Sequence, residues 1–233
     1  MNKEQTKNIA IIIIVIILIA GGVYYSKNKV EKDVLVDEVV EQEVISEETT
    51  PVPLTKEEEA QNKANQANTE ELKAQEAVKK AKWNTAMDNA RKAFGKGEYD
   101  QAITFYTEAL SYYKTDTGYS GLFVTYSVQN NIDKAKIAID SAIKLNPLIT
   151  EYWISKLTFL DEKTAISFAD LKRIYEEGLT KVDFRTKINL VTIFARIAEK
   201  NSQKSEAISL WEYAKTVYPA NASIYQGEID RLK

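Results

Sequence analysis

Gly97–Leu110 reads G-E-Y-D-Q-A-I-T-F-Y-T-E-A-L. A turn-like G-x-Y-D runs into a helical segment with small residues at Ala102 and Ala109 and aromatics at Phe105 and Tyr106. The layout returns at Asn130–Ile143 as N-N-I-D-K-A-K-I-A-I-D-S-A-I, with Ala135 33 residues after Ala102. A distorted copy surrounds Leu171–Leu179, and another occupies Ala207–Lys215. Internal repetition with a period of roughly 20–50 residues marks stacked supersecondary units, because no unit buries its apolar face alone. The expected fold class is therefore all-α: a helical-hairpin solenoid of about four repeats.

Each copy has a first helix ahead of it. Ala86, Ala90 and Phe94 precede Ala102, Tyr106 and Ala109; Leu122, Phe123 and Tyr126 precede Ala135, Ile139 and Ala142, with Pro147 closing the unit. The last copy has Ala195, then Ala207, Trp211, Ala214 and Pro219. This layout resembles the tetratricopeptide repeat across Trp83–Pro219. The likeness has gaps: Lys114 stands where the family has proline, and the third copy carries Leu171, Tyr175 and Gly178, set 36 residues after the second. The physical reading needs no family name. Two alanines on one helix face leave a shallow notch into which a neighbouring helix can settle, and the large aromatic fills the space between successive pairs.

Ahead of the repeats the chain changes character three times. Residues 1–8 form a short polar head with Lys3 and Lys7, and Ile9–Tyr25 is an uncharged run of seventeen residues. As a helix that run spans about 25 Å, near the lower limit for a hydrocarbon core of about 30 Å, with Tyr24 and Tyr25 at an interfacial position. It is read as an uncleaved transmembrane signal anchor. The alternative is a signal peptide cut near Gly22, since Ala20-x-Gly22 has small residues at the right spacing. Lysines flank the run on both sides, and the short basic head favours a cytoplasmic N-terminus with the repeat domain extracytoplasmic. Residues 26–54 read as a flexible acidic, valine-rich tether ending in Pro51-Val52-Pro53. Coil of that length spans about 30 Å. Thr55 followed by Lys56-Glu57-Glu58-Glu59 is a helix-start signal, opening an Ala/Glu/Gln/Lys-rich polar helix over 55–82. The repeats are then expected over 83–220 and a capping helix over 221–233.

Composition removes whole classes of chemistry. The 233 residues contain no cysteine and no histidine, which excludes disulfides, thiolate or imidazole metal ligands, cysteine nucleophiles and histidine-based triads. The net charge of -3 is uneven: +1 over Met1–Tyr25, -5 over Ser26–Lys82 and +1 over Trp83–Lys233. A repeat region without net positive charge is a poor match for a phosphate backbone, so nucleic acid is not expected. Asp161-Glu162 and Glu176-Glu177 are adjacent carboxylates that diverge by about 100° on a helix rather than facing one cleft. No phosphate loop, dinucleotide fingerprint or acidic metal loop is present in the sequence. Asn221-Ala222-Ser223 matches a glycosylation acceptor, a pattern short enough to arise by chance. The expectation is a non-enzyme with no cofactor, metal or small-molecule substrate.

The resemblance implies protein or peptide partners bound along a groove built from the first helices. Here those positions are Arg91, Phe94, Thr117, Ser120, Val124, Ile154, Thr158 and Arg196. The lysine/asparagine/arginine clamp that some family members use for acidic C-termini is missing, because Met87 and Arg91 stand at the first-repeat positions. The expected function is a single-pass membrane-anchored interaction scaffold, with a secreted soluble binding module as the alternative. If Ala102 and Ala135 are notch residues, Ala102→Leu or Ala135→Leu overpacks a helix contact and destabilises by about 1–3 kcal/mol. Unchanged thermal melting in either variant would reject the notch assignment.

Overall fold

The computed structural model describes residues 55–233, which form nine α-helices and no strand. The head, the apolar run 9–25 and the tether 26–54 lie outside the described residues. Among the described residues no helix is long and apolar enough to cross a membrane. In chain order the helices are α1 (Lys56–Gly95), α2 (Tyr99–Tyr112), α3 (Asp116–Val128), α4 (Ile132–Leu145), α5 (Thr150–Lys163), α6 (Phe168–Lys181), α7 (Lys187–Lys200), α8 (Lys204–Val217) and α9 (Ala222–Leu232). A 3-10 turn at Pro219–Asn221 precedes α9.

The chain divides into two compact units, Met1–Ala81 and Lys82–Lys233. In the first, α1 starts directly after Thr55, and the described side chains as far as Ala81 are exposed. Pairs such as Lys73 with Glu70, and Gln75 with Glu71, run along that helix surface. Alanine-rich composition, local side-chain pairs and a length of 40 residues all favour such a helix.

The second unit is the repeat stack. Its alternating helices fall into two layers: α3, α5, α7 and α9 in one, and α2, α4, α6 and α8 in the other. Phe123 of α3 meets the Phe159 ring of α5 edge-on at 5.4 Å, and α5 lies beside α7. In the other layer Lys172 of α6 pairs with Glu206 of α8 at 2.9 Å. Ala102, Ala109, Ala135, Ala142, Ala207 and Ala214 are all fully buried, as is Leu171, and Tyr106, Ile139, Tyr175 and Trp211 are buried beside them. Gly178 occupies the third-repeat notch. A β-carbon there would lie 3.0 Å from the Trp153 ring. Gly121 takes the same part opposite Tyr106, whose ring edge would lie 2.3 Å from an added β-carbon. The large ring of one helix thus sits on bare backbone of another.

One turn recurs between first and second helices. Gly97, Asn130 and Ser202 have φ of 79°, 57° and 60°, and the residue after each donates back to Ala93, Tyr126 and Ala198 at 2.8–2.9 Å. These bonds satisfy carbonyls at the helix end in the Schellman manner. The third repeat lacks it: Thr164 is extended, and a four-residue loop leads to Ser167, whose hydroxyl caps α6 through the Asp170 N–H at 3.1 Å. That turn supplies one of the extra residues that stretch the spacing from 33 to 36; loop 146–149 and helix α5 supply one each. Ser202 holds left-handed backbone with a side chain, at a cost of about 1–2 kcal/mol that glycine avoids. Ser202→Gly is therefore expected to raise the melting temperature by a few degrees; a fall would show that the serine side chain contributes more than the backbone strain removes.

Candidate protein-binding surface

Six of the eight residues expected in the groove lie on α3, α5 and α7, and Arg91 and Phe94 lie at the end of α1; their circumstances differ. Ile154 and Thr158 of α5, and Thr117 and Ser120 of α3, are half-buried on adjacent helices. Their hydroxyls are partly spent locally: Thr158 donates to the Ile154 carbonyl, and Thr117 meets the Thr115 hydroxyl at 3.4 Å. Thr192 of α7 likewise donates to Asn189 O at 3.1 Å. With their hydroxyl protons turned onto local partners, these threonines offer few free donors. The central part of the layer is consequently neutral and mildly apolar.

Val124 corrects the sequence expectation. It is only 8% exposed and belongs to the core beside Leu122, Phe123 and Thr125. The helical register explains this: four consecutive buried residues on α3 show a helix enclosed on more than one side, which a single-faced pattern did not foresee. Arg91 pairs with Asp88 one turn back at 2.6 Å and lies near enough to Tyr106 to offset part of the upward push that burial gives its phenol. Phe94 is half-buried, its ring 5.5 Å from Tyr99.

Arg196 is engaged by the C-terminal helix. Its guanidinium lies 3.2 Å from Glu228 of α9 and 5.5 Å above the Trp211 ring of α8. Arg231 of α9 reaches Glu199 of α7 at 2.6 Å, and the same Glu199 accepts the Trp211 indole N–H at 3.0 Å. Beneath these charges Tyr225 stacks on Trp211 at 6.0 Å, and Ile229 is fully buried. Magnitudes rank the two contributions. Burying Ile229 and Tyr225 is worth about 1.5–3 kcal/mol each, whereas a partly exposed ion pair is worth about 0–1 kcal/mol. Apolar burial holds α9; the charges fix its register.

Neither adjacent carboxylate pair forms a paired acid site. The Asp161 side chain is 6% exposed and accepts from Lys200 at 2.6 Å and Asn201 at 2.7 Å, so it ties the end of α5 to the end of α7. Glu162, Glu176 and Glu177 are exposed. Trp153 and Trp211 are core residues, and the Trp153 indole donates to Pro147 O at 2.8 Å.

No family model and no curated protein matches the chain. A solved structure of Pseudomonas aeruginosa pilF matches with a TM-score of 0.51 and 12% identity, over 66% of this chain and 69% of that one. The crystal structure of a thermophilic TPR protein from Thermus thermophilus matches with a TM-score of 0.45 and 12% identity, over 61% of this chain and 77% of that one. The fold is tetratricopeptide-like. At such identity the likeness extends to the fold alone, and the surface must be read from this chain's own residues.

The Glu228 carboxyl is held below the ordinary carboxylate range, first by Arg231 and then by Arg196 after the opposing effect of desolvation. A depressed folded-state value contributes stability above the unfolded value near 4.5 and loses it as pH falls through the folded one. Glu228→Gln should therefore loosen α9 at neutral pH, while the gap to the unsubstituted chain closes below about pH 4. Tryptophan fluorescence during denaturant titration of a chain that keeps Trp211 and carries Trp83→Phe and Trp153→Phe reads this. A gap of the same size at both pH values would show that Glu228 acts through packing rather than charge.

Proposed function

We propose that this chain is a single-pass membrane-anchored scaffold that recruits protein partners through its tetratricopeptide-like stack. It works by binding rather than catalysis, and its repeat domain stands outside the cytoplasm, in the setting of secretion, chaperoning or envelope assembly. The observation that carries the reading is the self-sufficiency of the stack. Its aromatic rings and small-residue notches are consumed in packing, while Thr117, Ser120, Ile154 and Thr158 remain partly open on one layer. Such a neutral, methyl-bearing strip suits the uncharged or apolar side of a peptide and does not suit an acidic C-terminus. The uncharged run Ile9–Tyr25 supports the bilayer attachment, and the acidic tether supplies reach. The small residues at Ala20 and Gly22 favour one second reading, a secreted module released by cleavage.

A single preparation tests both layers of the reading. The full chain carrying a photo-crosslinking residue at Ile154 is expected in the membrane fraction after alkaline extraction, at its uncleaved intact mass. It should capture discrete partners that a probe at Ile137, exposed on α4, does not. A mass reduced by the first twenty or so residues, with the protein in the soluble fraction, would establish the secreted module instead. Identical capture from Ile154 and Ile137 would remove the strip from consideration.

A further inference from the structure

Three hydrogen bonds join the loops that lead from each second helix to the next first helix. Asn146 Nδ2 donates to Asp116 at 3.0 Å, the Thr150 and Thr186 hydroxyls lie 2.6 Å apart, and the Tyr218 hydroxyl donates to Phe184 O at 2.9 Å. Loops 113–115, 146–149, 182–186 and 218–221 therefore line one continuous edge of the stack. Along it large apolar side chains stand out of the protein: Leu148 is 59% exposed and Phe184 64%. Beside them are the exposed cations Lys114, Lys144, Lys181 and Arg185.

The charge is one-sided. Counting each loop with the helical turn before it, these four cations and Lys215 face one acid, Asp183, which accepts the Arg185 backbone N–H at 2.8 Å. Lys215 is drawn towards Gln226 and Glu212. Of the acids that open the following helices, Asp116 accepts from Asn146 and from the Thr117 N–H, and Glu151 is half-buried. The helix dipole explains a lysine in a last turn. It does not explain a leucine and a phenylalanine held in solvent between lysines at loop tips. The opposite edge differs: near its turns Val128, 39% exposed, is the one exposed large hydrophobic among the described residues.

We propose that this loop edge docks on an anionic bilayer surface, with Leu148 and Phe184 entering the headgroup region and Lys114, Lys144, Lys181 and Arg185 on anionic lipid. The chemistry is that of interfacial binding, in which shallow apolar insertion and basic residues act together and neither suffices alone. The inference rests on the anchored reading, in which an anchor at Ile9–Tyr25 would raise the effective concentration of bilayer around the stack. Docking would hold the stack edge-on, leaving the strip around Ile154 directed along the membrane rather than into it.

The chain has no cysteine, so single-cysteine probes are clean. Full-length protein bearing Leu148→Cys, Phe184→Cys or, on the opposite edge, Ala165→Cys is labelled with an environment-sensitive fluorophore. It is reconstituted in phosphatidylcholine vesicles with or without phosphatidylglycerol. Labels at 148 and 184 should shift to the blue and become quenchable from within the lipid only when phosphatidylglycerol is present; the label at 165 should not. Lys181→Gln or Arg185→Gln should lower the inserted-to-free ratio about fivefold each. Vesicle flotation separates the two claims. If the protein floats but labels at 148 and 184 behave like 165, edge docking is wrong and the anchor stands. If they shift equally without phosphatidylglycerol or without vesicles, protein rather than lipid covers the edge. If the protein does not float, the anchored reading falls and this inference with it.

Discussion

The stack depends on helices meeting where a side chain contributes almost nothing. Ala102, Ala109, Ala135, Ala142, Ala207 and Ala214 show no exposed surface, and Gly178 and Gly121 carry rings directly over backbone. Close approach at these points is what lets Tyr106, Trp153 and Trp211 pass between helices and become buried. A large aromatic buries far more apolar surface than the small residue it covers, so each notch is small in itself and decisive for its neighbour. The interior tolerates little change in volume at such a contact, because packing is already near crystalline density.

Propagation along the stack follows from this local rule. Each hairpin rests on the next through a ring and a notch, and polar links then set how far each may slide. Thr150 with Thr186 fixes the starts of α5 and α7, and Asp161 with Lys200 and Asn201 fixes their ends. Two clamps at opposite ends of a helix pair leave little freedom of register. Beyond α8, helix α9 covers the core with Tyr225 and Ile229 inward and Glu228 and Arg231 outward. That is the division of labour expected of a terminal cap.

What was legible in the sequence was the part encoded locally. Alanines and aromatics at three- and four-residue spacing survive as a pattern because both partners in the notch come from short segments. The third repeat was faint because Gly178 replaces alanine and its turn substitutes a Ser167 cap for the left-handed residue used at Gly97, Asn130 and Ser202. The register of α3 misled at Val124, where a helix enclosed on several sides has no single apolar stripe to read. The pairing of Arg196 with Glu228 was out of reach for another reason. It joins residues 32 apart, and spacing shows charges on a helix but not which partner lies across the space between helices.

The same reasoning separates identity from action in this protein. The residues that make the fold recognisable are buried and already committed to one another, so they have no free surface to offer a partner. In the reading proposed above, recognition uses positions that packing leaves open: the strip on the first helices and the loop tips on one edge. Loops tolerate exposed polar and basic residues at little cost because their backbone is solvated in any case. An exposed Phe184 has no such excuse in packing terms, since its ring meets Tyr218 at 6.4 Å and otherwise faces solvent. Among the exposed apolar residues, Leu148 and Phe184 are set apart by standing at loop tips of one edge among cations, away from the repeat motif that names the architecture.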